Sequence, residues 1–196
     1  MSFIETVPED RAPAAVADLY ETDRATFGEL PNFTRAFSLR PSVYAAWRKL
    51  IGAIKAEMDP RRYELASVAA ARRLRSSYCM LAHGSILAEK FFEPEATRAL
   101  AADHRDAELD SVDVAVMDLA VKVADDATSI TEADVDRLRS LGLSDAEVLD
   151  VVLAAAARCF FAKVLDAVGA EPDAKYASLD PELRDALTVG RPIAED

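Results

Sequence analysis

The sequence contains little cysteine and little glycine, and it has an excess of negative charge. Its 196 residues include two cysteines and six glycines, and 35 acidic residues outnumber 23 lysines and arginines, for a net charge of -12. Cys79 and Cys159 are too few and too far apart for a disulfide framework, so we expect a reducing, cytoplasmic setting. The shortage of clustered positive charge argues against nucleic acid and against an anionic membrane surface as partners.

Nucleotide-binding and metal-binding motifs are also missing. No G-x-G-x-x-G or Walker pattern is present, and His83 and His104 fit no zinc spacing with the two cysteines, so we expect no cofactor and no metal. The segment Met1–Arg11 has acidic residues and no apolar centre, and it does not resemble a signal peptide. The longest apolar region, Val148–Ala170, is interrupted by charged side chains such as Arg158, which predicts a buried helix and not a membrane span.

Almost every segment is predicted to be helical. Alanine, leucine, glutamate and arginine dominate, and apolar positions recur every three or four residues, whereas no stretch alternates like a strand. The length suits one domain with a sizeable core. We therefore predict an all-α domain of about seven to nine helices without a sheet.

The stretch Arg61–Lys90 contains the candidate chemistry. Ser76 is predicted to cap a helix in which Cys79 is the third residue, where free backbone N–H groups and the helix dipole favour a thiolate. His83 follows four residues later on the same helical face. Glu64 lies one helix earlier, in an alanine-rich apolar segment where a carboxylate needs a reason to be tolerated.

The pattern alone leaves two interpretations of Cys79 and His83 open. They are either a thiol beside a base, or a small buried hydrophobe and a hydrogen-bonded core residue. Structural roles are expected for other reactive side chains: Cys159 in a buried helix and His104 at the surface. Tyr78 could lend its hydroxyl to a pocket or pack as an aromatic ring.

The order of these residues resembles a known signature. Glu64, eleven intervening residues and Ser76-Ser77-Tyr78-Cys79-Met80-Leu81-Ala82-His83 resemble the pattern Glu, eleven residues, C-x-x-C-x-x-x-H of the AhpD-like and carboxymuconolactone decarboxylase superfamily. Ser76 stands where the family has its first cysteine. The segment 130–172 is similar to the peroxidase-related branch, so the resemblance covers about residues 43–172 and implies an all-helical, AhpD-like fold.

The resemblance implies roles for these residues. Cys79 would be the peroxide-attacking nucleophile, His83 its base or proton conduit, and Glu64 the group that orients or charges the histidine. Ser76 would cap the helix and donate a hydrogen bond to the sulfur, but it cannot resolve a sulfenic acid into a disulfide. An external thiol, or Cys159, would then have to reduce the sulfenic acid.

The predicted organisation is one domain over residues 1–196. Residues 1–40 form N-terminal helices, 41–172 the family core and 173–196 a C-terminal extension. In the extension, a short helix that could pack on a partner subunit is indicated by Leu179, Leu183 and Leu187. The resemblance also implies a homo-oligomer.

Three functions are compatible with these residues. The first is a thiol-dependent alkylhydroperoxidase-like enzyme that uses Cys79, a proton relay of His83 and Glu64, and an external thiol reductant. The second is a carboxymuconolactone-decarboxylase-like enzyme in which the same histidine and glutamate act as acid and base on a small carboxylate or lactone. The third is a non-catalytic helical binding protein, for which we expect the thiol to be sealed and the glutamate to pair with an arginine such as Arg72 or Arg73.

Overall fold

The computed structural model describes residues 2–195, which form an all-helical domain. Ten α-helices and three short 3₁₀ segments lie within these residues, and no strand does. The all-α prediction is confirmed, and the short helices α2 and α10 raise the number of helices above the expected range. The helices are α1 (Ala14–Phe27), α2 (Asn32–Ala36), α3 (Pro41–Glu57), α4 (Pro60–Leu74), α5 (Ser77–Lys90), α6 (Pro94–Ala102), α7 (Ser111–Asp126), α8 (Glu132–Ser140), α9 (Asp145–Ala167) and α10 (Pro181–Leu187).

Helix boundaries follow the capping residues of the sequence. The Asp59 carboxylate accepts a hydrogen bond from the backbone N–H of Arg62 at 2.9 Å, at the start of α4. Ser144 and Glu147 form the predicted capping box at the start of α9, and this helix stops before Gly169, which has a φ of 73°. Local sequence therefore determines where the central helices begin and end.

Helix α4 is the centre of the fold and packs on α5, α7 and α9. Its alanines Ala66, Ala70 and Ala71 are 0% exposed, and their small side chains let the neighbouring helices approach closely. The same helix carries Tyr63 and Glu64, which are also buried. The alanine-rich pattern thus brings polar side chains of α4 into the interior, between three other helices.

The apolar region near the end of the chain forms the long helix α9. Its buried face includes Val151, Ala155, Ala162 and Leu165. No helix within residues 2–195 is long and apolar enough to cross a bilayer. Another face of α9 exposes large apolar side chains to solvent in the single chain. That the protein forms a homo-oligomer stays a prediction.

Helix α10 packs on α5 and α6 of its own chain. Leu183 and Leu187 are 4% and 0% exposed, so these two of the three leucines predicted to face a partner subunit are covered within the chain, whereas Leu179 lies before α10 and is partly buried. Gly84 makes this contact with α5 possible, because a β-carbon at this position would overlap the Leu187 side chain. The C-terminal helix therefore braces the helix that carries Cys79 and His83.

Replacing Gly84 by alanine should lower the free energy of unfolding by about 1 to 3 kcal/mol, because the added methyl group overlaps a buried side chain. The same substitution should cost much less in a Leu187→Ala background, where the shortened side chain leaves room. Gly52→Ala is the control: no atom lies within 4 Å of the added methyl group, so it should be neutral or stabilising. Urea unfolding measures these differences, and equal losses in both backgrounds would contradict the packing of α10 on α5.

Candidate functional site

Cys79 is the third residue of α5, as the sequence predicts. Met80 donates the first hydrogen bond of the helix to the Ser76 carbonyl at 3.0 Å, so Cys79 lies in the turn whose backbone N–H groups are not used by the helix. Its side chain is 2% exposed. The thiol is therefore buried and close to the positive end of the helix dipole.

A buried arginine from α9 contacts this thiol. Arg158 is 3% exposed, its Nη1 donates to Cys79 Sγ at 3.7 Å, and its Nη2 donates to Tyr63 Oη at 3.1 Å. Burial acts against the charge of Arg158, but the neighbouring sulfur and phenol keep the guanidinium pKa above its usual value. Burial also raises the pKa of Tyr63, so its phenol is neutral. Of these two acceptors, Cys79 is the one that can carry the compensating negative charge.

A second pair joins α5 to α4. His83 Nδ1 lies 2.5 Å from Glu64 Oε2, and both side chains are buried. Lys55 of α3 approaches from the solvent side, with its Nζ 3.8 Å from Glu64 Oε1 and 4.9 Å from the centre of the Tyr63 ring. The predicted pairing of histidine with glutamate is thus present, and a lysine adds a positive charge beside it.

The charge states of this pair are set by burial and by Arg158. Burial and the positive charge of Arg158 lower the pKa of His83, against the opposing effect of Glu64. Burial alone would raise the pKa of Glu64, but the interactions with His83, Lys55 and Arg158 outweigh it and hold the pKa below its usual value. At neutral pH the imidazole is therefore neutral and the carboxylate ionised. A carboxylate at Nδ1 selects the tautomer with the proton on that nitrogen, which leaves the Nε2 lone pair free to act as a base.

Tyr63 connects the two halves of the site. Its ring meets the His83 ring edge-on at a centroid distance of 5.9 Å, and its hydroxyl accepts the hydrogen bond from Arg158. Within residues 2–195, Cys79 and His83 form no direct hydrogen bond with each other. The thiol and the imidazole are therefore near a common tyrosine and a common arginine, and they are not in the direct contact that their spacing suggested.

Ser76 occupies the N-cap position of α5, but its hydroxyl makes no capping hydrogen bond. It is 0% exposed and forms no hydrogen bond with Cys79 in the described part of the chain. Its polar neighbour is Asp166 of α9, whose pKa is raised by burial while the Ser76 hydroxyl counteracts that rise. Ser77 Oγ, beside it, accepts a hydrogen bond from the Gly190 backbone N–H at 2.7 Å. The C-terminal segment thus covers the start of α5.

Three other side chains have clear positions. The Tyr78 hydroxyl donates to Asp173 Oδ2 at 2.6 Å and accepts from the Phe33 backbone N–H at 3.1 Å, which makes it a structural link. Cys159 is half-buried, not fully buried, and burial raises the pKa of its thiol. The expectation that His104 lies at the surface is wrong: it is 7% exposed, because its ring packs inward and bonds to Asp118 at 3.0 Å.

The site is enclosed. Cavities of about 780 Å³ and about 330 Å³ are lined by other residues. His83 is 9% exposed and its partner Glu64 contacts the exposed side chain of Lys55, so the imidazole end of the site lies nearest the solvent. No group of three or more histidine, cysteine, aspartate or glutamate side chains in residues 2–195 is placed to hold a metal ion.

Sequence reasoning missed Arg158 as a site residue. The signal was available, because Arg158 falls in the same helical register as the buried residues Val151, Ala155, Ala162 and Leu165 of α9. A charged residue at an apolar position of a buried helix needs a partner, and the partner is Cys79. Lys55, by contrast, occupies an ordinary exposed position on α3, and its contact with Glu64 depends on how α3 and α4 pack.

Comparison with known proteins gives a fold and no closer relationship. No protein-family model matches the sequence, and no curated protein matches it. The crystal structure of an alkylhydroperoxidase AhpD core protein from Ralstonia eutropha JMP134, described as uncharacterised and peroxidase-related, is 21% identical. The match covers 97% of this chain and 98% of that one, with a TM-score of 0.80.

Two further structures are similar over most of their length. An uncharacterised peroxidase-related protein from Silicibacter sp. TM1040 is 23% identical, with 88% and 92% of the two chains covered and a TM-score of 0.79. The debrominase Bmp8, in complex with 2,3,4-tribromopyrrole, is 13% identical, with 94% and 95% covered and a TM-score of 0.71. These likenesses extend over nearly the whole chain, and the chain therefore has the all-helical fold of the AhpD core.

Proposed function

We propose that this chain is a thiol-dependent peroxide reductase in which Cys79 is the nucleophile. The observation that carries the proposal is the buried guanidinium of Arg158, which contacts the sulfur. A charged group in the interior is costly unless a charge of opposite sign accompanies it. The ionised carboxylate of Glu64 supplies part of the charge that balances Arg158. Of the two groups that Arg158 hydrogen-bonds, Tyr63 is neutral, so a thiolate at Cys79 is the one that would add a negative charge in direct contact, and a thiolate is the form of cysteine that attacks peroxides.

The first step forms a sulfur–oxygen bond. The thiol proton passes to His83 Nε2 through a water molecule or the bound hydroperoxide, because the two side chains are not in direct contact. The Cys79 thiolate then attacks one oxygen of the hydroperoxide, and the oxygen–oxygen bond breaks. The leaving alkoxide takes the proton from the imidazolium, so Cys–SH and ROOH give Cys–SOH and ROH. Glu64 holds the ring by its Nδ1 proton and stabilises the imidazolium while it exists. Arg158 stabilises the negative charge on sulfur before the attack.

The second step needs reducing equivalents from outside the chain. Ser76 cannot form a disulfide. Cys159 follows Arg158 on α9, so it points about 100° away from the residue that contacts Cys79, and burial raises the pKa of its thiol. One external thiol converts Cys–SOH to a mixed disulfide and water, and a second thiol releases Cys79–SH and an external disulfide.

The burial of Cys79 favours small peroxides. At 2% exposure the sulfur is reached by a small oxidant more readily than by a bulky one. A non-catalytic binding protein would also have a sealed thiol. That function, however, also predicts that Glu64 pairs with an arginine such as Arg72 or Arg73. Glu64 instead pairs with His83 and lies near Lys55, which favours a working acid and base.

A second candidate is an acid/base enzyme acting on a small carboxylate or lactone. The observation that favours it is the Nε of Arg158, which is buried and has no hydrogen-bond partner in residues 2–195. A substrate carboxylate could bind there while His83 and Glu64 transfer protons and Cys79 takes no part. A solved structure with this fold is named a debrominase, so the fold alone does not decide between reactions.

Hydrogen peroxide at low concentration should convert Cys79 to a sulfenic acid that dimedone traps, because Arg158 favours the reactive thiolate. Mass spectrometry of the intact protein and its peptides measures the adduct. The Cys159→Ser variant should react like the parent protein, whereas Cys79→Ser should form no adduct. Modification of Cys159 alone, or peroxide turnover that survives Cys79→Ser, would overturn the peroxidase proposal.

The Arg158→Gln variant should form the sulfenic acid about 10- to 100-fold more slowly at neutral pH, since a charge-assisted hydrogen bond to the sulfur is lost. The pH–rate profile should also change, because the positive charge that faces the sulfur is gone. Arg158→Lys keeps the charge and should restore most of the profile. Circular dichroism checks that both variants fold, and an unchanged profile in a folded Arg158→Gln protein would exclude this role.

The Cys79→Ala variant separates the two candidate reactions, and His83→Ala tests the base that both of them need. Loss of a general base should slow either reaction by about 100-fold or more, but Cys79→Ala should stop peroxide reduction and spare the acid/base reaction. Because the pKa of His83 is lowered, the base should stay neutral, and the rate should stay high, until the pH falls below the ordinary histidine value of 6.5. A rate that already declines above that pH would contradict a neutral His83 at the site.

A further inference from the structure

An apolar cavity with arginines at its rim lies away from Cys79. Its volume is about 330 Å³, within the range of small-molecule sites, and none of the residues of the thiol site lines it. Its floor is apolar and comes from α4, α6 and α7: Val68, Ala69, Leu100, Met117 and Val121. A cavity with such a floor suits the hydrocarbon part of a ligand.

The rim carries an unbalanced positive charge. Two of its arginines are already paired, Arg73 with Asp125 and Arg105 with Asp118. Arg72 and Arg75 have no carboxylate within 4.0 Å in the described chain. Asp103 is the one acidic residue that lines the cavity; its Oδ1 accepts a hydrogen bond from the Arg105 backbone N–H at 3.0 Å, and its charge offsets part of the charge of Arg72, so an excess of positive charge is left at the rim.

The helix dipole at the C-terminus of α4 explains only in part why arginines lie at the rim of the cavity. Positive side chains are favourable near a helix C-terminus, where Arg72 lies in the last turn and Arg75 is the C-cap residue. That effect does not explain why the arginines border an apolar cavity, nor does it offset their mutual repulsion. An anion bound between Arg72 and Arg75 would offset this repulsion. Elsewhere the protein repels anions, because its net charge is -12.

We propose that this cavity binds a small organic anion with an apolar body, such as an aliphatic or aromatic monocarboxylate. The carboxylate lies between Arg72 and Arg75, and the hydrocarbon part covers the apolar floor. The site is separate from the proposed peroxide chemistry, since no residue of the thiol site takes part. His104 also lines the cavity, but its Nε2 is already bonded to Asp118, so the proposed role of the cavity is to bind the ligand and not to convert it.

Isothermal titration calorimetry with octanoate tests the proposal directly. Octanoate should bind saturably at one site per chain, whereas acetate lacks the apolar body and 1-octanol lacks the charge, so each should bind at least about tenfold more weakly. Arg72→Gln should weaken octanoate about tenfold or more, and the double variant with Arg75→Gln should weaken it further. The matched control is Arg11→Gln, at a position outside the cavity where the side chain is 80% exposed, and it should bind like the parent.

Several outcomes would overturn the proposal. These are the absence of saturable octanoate binding, equal affinity for octanoate and 1-octanol, and an unchanged affinity in a folded Arg72→Gln protein. Peroxide-dependent modification of Cys79 is measured on the same variants and should not change. A failure of anion binding is thereby distinguished from a failure of the peroxidase proposal.

Discussion

The contact between the buried guanidinium of Arg158 and the sulfur of Cys79 is the interaction on which the rest of the site depends. An arginine cannot be neutralised by losing its proton, so its charge in the interior has to be met by other groups. The phenol of Tyr63 and the sulfur of Cys79 accept its hydrogen bonds, and the carboxylate of Glu64 supplies a negative charge nearby. Burial is the main reason why the pKa of His83 is lowered, and the same guanidinium lowers it further. Together they keep the imidazole neutral beside an ionised Glu64. A single side chain from α9 thus influences the thiol and the imidazole together.

The packing of α4 makes this arrangement possible. The small side chains of Ala66, Ala70 and Ala71 allow α5 and α9 to approach the same helix, so residues from three helices meet around Tyr63. Because all three helices are packed in the core, the positions of thiol, guanidinium and imidazole are fixed by the fold and not by flexible loops. The arrangement costs burial of several polar groups; hydrogen bonds offset most of this cost, but the Nε of Arg158 is left without a partner in residues 2–195.

The sequence predicts much of this site and misses a defined part of it. Capping residues and periodicity placed Cys79 at the start of α5 with His83 one turn further on, because these are local features of a helix. The pairing of Glu64 with His83 joins two helices, and it was implied by the resemblance to the AhpD-like signature. The role of Arg158 depends on contact between distant segments, which spacing does not encode, and its charge was interpreted only as an interruption of an apolar region. The same limitation explains His104: its link looks polar and exposed, but α7 supplies Asp118 as an inward partner.

The bracing of α5 by Leu187 and Gly190 has a consequence for biosynthesis. Glu64, Cys79, His83 and Arg158 all lie within residues 64–158, yet the helix that carries two of them is held by residues translated later. A nascent chain therefore exposes the cysteine and its neighbouring helices before their covering segment has left the ribosome. Until that segment covers α5, the Cys79 thiol is more accessible to oxidants than it is in the folded protein. Under oxidative stress, the thiol is therefore most easily oxidised while the chain is being synthesised.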